Sequence, residues 1–314
     1  MDIIKTLAKE FNIKETQVEK TVELIDEGNT IPFIARYRKE VTGSLDDTVL
    51  RELFDRLTYL RNIEKRKEEV KNLIAEQGKL TDELVAAIDA AQTITEVDDI
   101  YRPYRPHRKT RASVAREKGL LPLAELIMQQ EDKYEPTLEQ TAAEYISEEK
   151  GVASAEEALA GASDIIAEEI SDNAEYRKNI RKITFDNGII STVGAKEEES
   201  VYSKYYEYSE PIKKIPHHRI LAINRGEKEE FLKVSLTVDK ALVLNYIMYQ
   251  AVTNVKSPAN KYVSAAIIDS YDRLIAPSIE REIRNDLFDD ASEGAIKLFA
   301  DNLKHLLMQS PLKG

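Results

Sequence analysis

The sequence of 314 residues contains no cysteine and no tryptophan, and it has only 11 glycines and 10 prolines. Without cysteine, the chain can form no disulfide, no thiolate-bound zinc site and no cysteine nucleophile. So few glycines and prolines argue against disorder and against an all-β fold. No apolar run approaches the roughly 18 residues that a transmembrane helix needs, and the first residues lack the pattern of a signal peptide. These absences predict a cytoplasmic protein with no membrane contact.

Charge is abundant and mainly negative. The chain has 57 Asp and Glu against 45 Lys and Arg, which gives a formal net charge of -12, and 42% of its residues are hydrophobic. This composition predicts a soluble globular protein whose length allows one large domain or two ordinary ones. The acidic balance disfavours unspecific coating of DNA, but it permits a local basic site.

Helical periodicity dominates the first half of the chain. Apolar residues three or four apart mark two short helices before Gly28, and with residues 31–40 they predict a small lobe of helix-turn-helix type. Leucines at 3-4-3 spacing, after a cap at Asp46 or Asp47, predict a long helix that runs to about Gln77. The polar residues 131–136 predict a domain boundary, with an N-terminal helical lobe at 1–130 and a central helical region at 131–314.

The second half is also mostly helical, and we predict an all-α fold with at most a few short strands. Strict alternation predicts the clearest strand near 231–238. Residues 174–187 fit a helix or a hairpin, and the helix is favoured because its cations then lie in the C-terminal half. Residues 193–211 indicate a loop. Further helices are predicted at about 240–254, 258–275, 278–288 and 293–309, the last with a buried stripe of Ile296, Phe299, Leu303 and Leu306.

Catalytic signatures are missing. The four histidines include the adjacent pair His217 and His218, whose side chains would point about 100° apart on a helix and could not easily share a metal. There is no His-Glu-x-x-His motif, no Walker loop and no glycine-rich dinucleotide fingerprint. Pairs of aspartates, such as Asp98–Asp99, stand at expected helix starts, where capping explains them. The sequence therefore predicts no enzyme, no cofactor and no metal site.

One stretch stands out against the acidic average. Residues 101–116 contain six Arg or Lys and no Asp or Glu. Pro103 and Pro106 exclude a helix interior and favour an extended, polyproline-like path, which would place an arginine at every third residue. Exposed guanidinium groups bind phosphates, and tyrosine rings stack on bases. The candidate nucleic-acid-binding residues are Tyr101, Arg102, Tyr104, Arg105, Arg108, Lys109 and Arg111.

A second interpretation of this stretch stays open. Residues 144–175 carry ten acidic side chains against the single cation Lys150. The arginines could therefore brace acidic helices instead of contacting nucleic acid. The alternatives are a nucleic-acid-associated scaffold and a purely architectural or protein-binding helical module. They differ in whether these side chains face solvent or carboxylates.

Several motifs along the whole chain resemble the Tex family of bacterial transcription accessory proteins. They occur in the same order as in that family. They are IPFIARYRKE at 31–40 with TGSLD at 42–46, DIYRPY at 99–104 with RKTRA at 108–112, GASDI at 161–165 with AEEISD at 167–172, IPHHR at 215–219 with NRGE at 224–227, and DSYDRL at 269–274 with PSIE at 277–280.

The resemblance implies a non-enzymatic transcription factor that binds RNA or DNA and contacts the transcription machinery. Members of the family continue with an RNase-H-like domain, helix-hairpin-helix elements and a C-terminal OB-fold RNA-binding domain. They are similar in core architecture to a eukaryotic transcription elongation factor and histone chaperone. We therefore expect an N-terminal fragment that ends where the RNase-H-like domain would begin. Its last helix would contact the downstream domains, and its own binding of nucleic acid would be weak.

Overall fold

The computed structural model describes residues 2–106 and 109–309. The chain divides into two compact units, Met1–Arg105 and Pro106–Gly314. Helices make up most of both units, and the strands form one small sheet. The predicted mainly helical fold is therefore confirmed. The predicted domain boundary after residue 130 stays a prediction, and the helices between 106 and 130 belong to the second compact unit.

The first unit is built on one long helix, α5. A carboxylate oxygen of Asp46 accepts a hydrogen bond from the amide of Val49, so it caps the helix where the sequence predicts. The predicted leucine stripe lies on one buried face of α5. The helices of this unit are α1 (Ile3–Phe11), α2 (Glu15–Asp26), α3 (Ile31–Tyr37), α4 (Lys39–Thr42), α5 (Asp47–Glu76), α6 (Asp82–Ala90) and α7 (Ile94–Tyr101).

Three apolar clusters share the length of α5. Helices α1 and α2 pack on its first half through Leu7 and Val18, while Ile34 of α3 packs near its start with Leu50. Helices α6 and α7 pack on its second half, in a cluster that includes Tyr101. The small N-terminal lobe is thus formed by α1–α4 on one half of α5, and its helix-turn-helix character stays a prediction.

The second unit is centred on α11, whose buried side chains contact several neighbouring helices. At Gly161, a Cβ atom would lie only 2.4 Å from the Cδ1 atom of Leu120, so any larger residue would force the buried Leu120 side chain to shift. The elements of this unit are α8 (Arg111–Glu117), α9 (Leu121–Gln129), α10 (Leu138–Ala143), α11 (Ala155–Asp172), α12 (Ala174–Asn187), β1 (Ile189–Gly194), β2 (Glu207–Pro211), α13 (His217–Lys228), β3 (Leu232–Thr237), α14 (Lys240–Ala251), α15 (Asn260–Asp269) and α16 (Ala276–Leu307).

The sheet confirms one prediction and corrects another. Strand β3 lies where alternation predicts it, and the favoured helix at 174–187 is present as α12. The sheet order is β2–β1–β3 with antiparallel pairing, in which Ile190 faces Glu210 and Leu236. The prediction of a loop over 193–211 is wrong at both ends: residues 193–194 belong to β1, and residues 207–211 form β2. Strand β1 is stabilised by pairing with β3, which lies roughly 40 residues further along the chain. A pattern of neighbouring residues cannot predict such a distant pairing.

Helix α16 also differs from the prediction. It is continuous over the two helices expected at 278–288 and 293–309, and it follows a π-helical segment at Ser270–Ile275. Pro277 does not end the helical run, because it lies in the first turn of α16 directly after the wider π-helical segment, and π-turns and prolines bend a helix without ending it. The stripe predicted to be buried is exposed, by 69% at Ile296 and Phe299, 44% at Leu303 and 63% at Leu306.

Candidate nucleic-acid interface

The basic stretch begins at the end of the first unit, and its path there is not extended. Tyr101 is the last residue of α7, and Arg102–Tyr104 form a single 3-10 turn. The extended path that the prolines predict is therefore wrong at this point. Pro103 stands in the first turn of the 3-10 helix, where a residue without an amide hydrogen is tolerated.

Tyr101 and Arg105 take part in a network that links α5 and α7. The ring of Tyr101 is 6% exposed, and the guanidinium carbons of Arg66 and Arg105 lie 5.8 and 5.6 Å from its centroid. Both arginines also bind Asp98, at 2.8 Å from Arg66 and 3.2 Å from Arg105. These contacts hold the end of α7 against α5.

Tyr104 and Arg102 are both partly buried. The side chain of Tyr104 packs on the apolar cluster of α5, α6 and α7, and its backbone carbonyl accepts a hydrogen bond of 2.8 Å from the side-chain amide of Gln77. The structure thus places Tyr101, Arg102, Tyr104 and Arg105 together at one end of the first unit. The contacts of Tyr101, Tyr104 and Arg105 stabilise the packing of this unit.

The remaining described candidates belong to the second unit. Lys109 is 70% exposed, and its ammonium group lies 3.6 Å from the carboxylate of Glu117. Arg111 is exposed at the first position of α8, where the side chain of Thr110 caps the helix. Burial raises the pKa of Asp164, and the positive charges of Arg273 and Arg111 oppose that rise. Arg108 lies outside the described residues.

Two cations just outside the candidate set brace the acidic helix α11, which Arg273 also contacts through Asp164. Arg116 forms an ion pair with Glu168 of α11 and approaches Glu169 to 3.7 Å. Lys118 binds Glu157 at 2.8 Å and the carbonyl of Gly151 at 2.7 Å. The bond from Lys118 is the largest cause that lowers the pKa of Glu157. A sequence signal exists, since Ala112 and Ala115 mark the buried face of α8 and Arg116 and Lys118 flank it.

A cleft of about 910 Å³ lies between α13 and α16 of the second unit. Leu221 and Phe288 supply apolar lining, and Arg225, Lys228 and Arg281 supply cations. The helices come close where Gly294 leaves room for the ring of His217, whose Nε2 atom lies 3.0 Å from Asp290. His217 thus has a packing contact where α13 begins.

The described part of the chain offers neither a cluster of metal-binding side chains nor a helix that could span a membrane. Among residues 2–106 and 109–309, no group of three or more His, Cys, Asp or Glu side chains could hold a metal ion. No helix in these ranges is both long and apolar enough to cross a membrane.

Comparison with known proteins gives matches over nearly the whole chain. Residues 1–75 match the Tex-like protein N-terminal domain, and residues 133–299 match the Tex central region-like family. The chain is 48% identical to the uncharacterized protein YdcI of Bacillus subtilis, over 98% of the chain and 43% of that protein. It is 37% identical to the transcriptional accessory protein Tex of Neisseria gonorrhoeae, over 99% of the chain and 42% of that protein.

A third relative is an animal protein. The S1 RNA-binding domain-containing protein 1 of Pongo abelii is 30% identical over the whole chain and 33% of its own length. The chain thus spans less than half the length of the curated relatives that it matches. The matches to both Tex regions, on a mainly helical fold, show that the chain belongs to the Tex family.

Proposed function

We propose that this chain is the helical scaffold of a transcription accessory protein that associates with nucleic acid and catalyses no reaction. The names of two relatives support this role, since one is a transcriptional accessory protein and another contains an S1 RNA-binding domain. A cytoplasmic location and contact with the transcription machinery belong to the same proposal. RNA or DNA is the proposed partner.

A direct contact with nucleic acid is supported by one observation: Lys109 and Arg111 are exposed cations in a chain of net charge -12. The pair between Lys109 and Glu117 is 3.6 Å long, with both side chains more than 65% exposed. Such a pair contributes little, so a phosphate can replace the carboxylate at small cost. In this proposal Tyr101, Arg102, Tyr104 and Arg105 stay within the candidate set, but they act mainly through the packing of the first unit.

Replacing both cations tests the contact. K109Q/R111Q should weaken binding to single-stranded RNA and reduce the slope of log affinity against log salt by roughly 1.4, at about 0.7 for each phosphate. The matched variant R116Q/K118Q removes the same charge from residues that brace α11. It should lower the melting temperature and leave the salt slope unchanged at temperatures where it is folded. Unchanged RNA binding by K109Q/R111Q would contradict this contact.

The alternative function is an architectural or protein-binding module without nucleic-acid contact of its own. It is favoured by the network of Arg66, Asp98, Tyr101 and Arg105, in which Arg105 of the basic stretch helps to hold the fold. The wild-type chain separates the two functions. If it binds no RNA or DNA at low salt, while its longer relatives do, the architectural function is the correct one.

Contact with downstream domains is the second part of this proposal. The exposed stripe on α16 supports it, because large exposed apolar patches usually mark interaction sites. This chain should then self-associate in a concentration-dependent way, and F299E/L303E should make it monomeric. Sedimentation velocity over a wide concentration range measures this. The control is E293Q, which changes an exposed residue of α16 outside the stripe. A wild-type chain that is monomeric throughout would argue against the contact.

A further inference from the structure

The junction of α3 and α4 carries four exposed residues in a row: Arg36, Tyr37, Arg38 and Lys39. Tyr37 is 57% exposed. We call these four residues the α3–α4 surface. They lie in the first unit and share no residue with the basic stretch at 101–116. Three cations therefore lie within four residues of an acidic chain.

Within the described ranges, none of the three cations of the α3–α4 surface contacts a carboxylate. Arg38 donates a hydrogen bond of 3.2 Å to the backbone carbonyl of Tyr37, and its guanidinium carbon lies 5.3 Å from the ring centroid of Phe33. Other arginines of this unit do bind carboxylates, and they are Arg51, Arg56, Arg61, Arg66 and Arg105.

An aromatic face lies beside these charges. The rings of Phe33 and Tyr37 are one helical turn apart, with centroids 5.4 Å apart and planes tilted by 47°. Phe33 is partly buried and packs against Tyr37, which leaves the outer face of Tyr37 in solvent. The surface therefore combines unpaired guanidinium groups with an accessible flat ring. The nearest acid in sequence is Glu40, which is exposed.

The backbone under this surface is held on both sides. Ile34 is fully buried in a cluster with Leu24, Leu45 and Leu50. After α4, the side-chain amide of Gln17 donates to the carbonyls of Thr42 and Gly43, at 3.1 and 3.4 Å. These contacts fix the positions of α3 and α4, so the cations and the ring are presented together without ordering the chain on binding.

We propose that the α3–α4 surface binds single-stranded nucleic acid. Arg36, Arg38 and Lys39 contact successive phosphates, and the free face of Tyr37 stacks on a base. A single strand fits better than a duplex, because only unpaired bases offer a free face. It also fits better than an acidic peptide, whose carboxylates would use the cations and leave Tyr37 unused. The inference depends on the proposed function for its class of ligand, and it places a separate contact in the first unit.

The test uses a fluorescent, unstructured single-stranded RNA of about 20 nucleotides. R36Q/R38Q/K39Q should reduce the slope of log affinity against log salt by roughly 2.1, at about 0.7 for each lost phosphate contact. Y37A should weaken binding by about 5- to 150-fold, the value of one base stacked on an aromatic ring. Because these residues are exposed, circular dichroism and the melting temperature should stay close to those of the wild type.

A matched control removes the same charge elsewhere in the first unit. K5Q/K20Q/R51Q replaces three exposed cations that form ion pairs with Asp2, Glu23 and Asp47. It should keep the wild-type salt slope. An equal loss of slope in both triple variants would overturn the inference, because total charge alone would then explain binding.

Two further outcomes are decisive. If the wild-type chain binds RNA and R36Q/R38Q/K39Q binds it equally well, this inference fails while the proposed function stands. If the wild-type chain binds no RNA, the proposed function fails as well. Polyglutamate of similar length should compete poorly with RNA. Competition as effective as that of unlabelled RNA would assign the surface to an acidic protein and overturn the inference.

Discussion

The two basic segments of this chain use their charge differently. In the stretch at 101–116 and just beyond it, Arg105 binds Asp98, Arg116 binds Glu168 and Lys118 binds Glu157. At the α3–α4 surface, the described part of the chain offers no carboxylate contact to any of the three cations. The segment with more cations is therefore the one whose cations are more often engaged within the fold.

This difference shows that partners decide whether a cation is available. A guanidinium group already bound to a carboxylate must give up that charged contact before it can hold a phosphate. Arg38 of the α3–α4 surface gives up only water and a hydrogen bond to the backbone carbonyl of Tyr37. In a chain of net charge -12, the unpaired cations are then the places where a polyanion can approach. Stability measurements should consequently rank cations by how deeply they are paired, and binding measurements should rank them in the reverse order.

The deepest pair should give the largest loss of stability. Arg177 of α12 is fully buried and binds Glu282 and Ser278 of α16, and Arg181 binds Glu282 at 2.7 Å. Burial raises the pKa of Glu282. The two arginines and Ser278 together lower it by more than burial raises it, so the net shift is downward. E282Q should cost about 3–5 kcal/mol of the free energy of unfolding, because it leaves a buried charge without its counterion.

Urea denaturation measures this loss, and the exposed substitution E293Q on the same helix is the control. A change below about 1 kcal/mol in E282Q would mean that water or a neighbouring group replaces the carboxylate. The proposed ranking of cations by how deeply they are paired would then fail at its most deeply buried pair.

The pair between α8 and α11 should give an intermediate loss. R116Q leaves Glu168, whose side chain is 15% exposed, without its arginine, and this should cost about 1–3 kcal/mol. Burial raises the pKa of Glu169, and the charge of Arg116 opposes the rise. Without Arg116 that pKa should rise further, which favours the protonated form.

The loss in R116Q should therefore be larger at pH 7 than at pH 4, where Glu169, with its raised pKa, takes up a proton. Thermal unfolding at both pH values checks this prediction, with K109Q, at an exposed pair, as the control. An equal loss at both pH values would show that Arg116 acts through packing rather than through charge.

An exposed pair should give a small effect with a defined pH dependence. Hydrogen bonds from Lys261 and Tyr262 of α15 lower the pKa of Glu139 in α10 to about 2. A carboxylate with a lowered pKa stabilises the fold above its ordinary pKa, and this contribution disappears as the pH falls from 4.5 towards 2. Because Glu139 and Lys261 are 53% and 63% exposed, E139Q should cost no more than about 0.5 kcal/mol at pH 7.

At pH 2, E139Q and the wild type should have nearly the same stability, and unfolding by urea at pH 7, 4 and 2 tests this. A difference that grows towards acid pH would contradict the assignment of the lowered pKa to Glu139.

Much of the fold could be predicted from local patterns. The leucine stripe of α5 and the alternation in β3 depend on residues close in sequence, and both lie where they are predicted. Strands β1 and β2 were missed because the polar residues at 207–211 carry no strong alternation and their pairing is not local. The stripe on α16 has the period of a buried face, and sequence periodicity cannot show whether a partner covers that face.

The candidate site could be predicted only in part. Composition marks the basic stretch, but the partners that decide its role lie far away in sequence, as in the pair of Arg116 with Glu168, 52 residues apart. The burial of Tyr101 likewise depends on α5 and α6. At the α3–α4 surface the four residues are visible in the sequence. That no carboxylate of the described residues contacts the three cations is a property of the folded chain.

One measurement tests the central claim most directly: the salt dependence of RNA binding by three proteins side by side. They are the wild type, R36Q/R38Q/K39Q, and R105Q/R116Q/K118Q, in which three engaged cations are replaced. We expect the slope to fall by roughly 2 in the first variant alone, and the melting temperature to fall in the second alone. If the second variant instead loses the slope and keeps its melting temperature, engaged cations would be the nucleic-acid contacts and the account would be wrong.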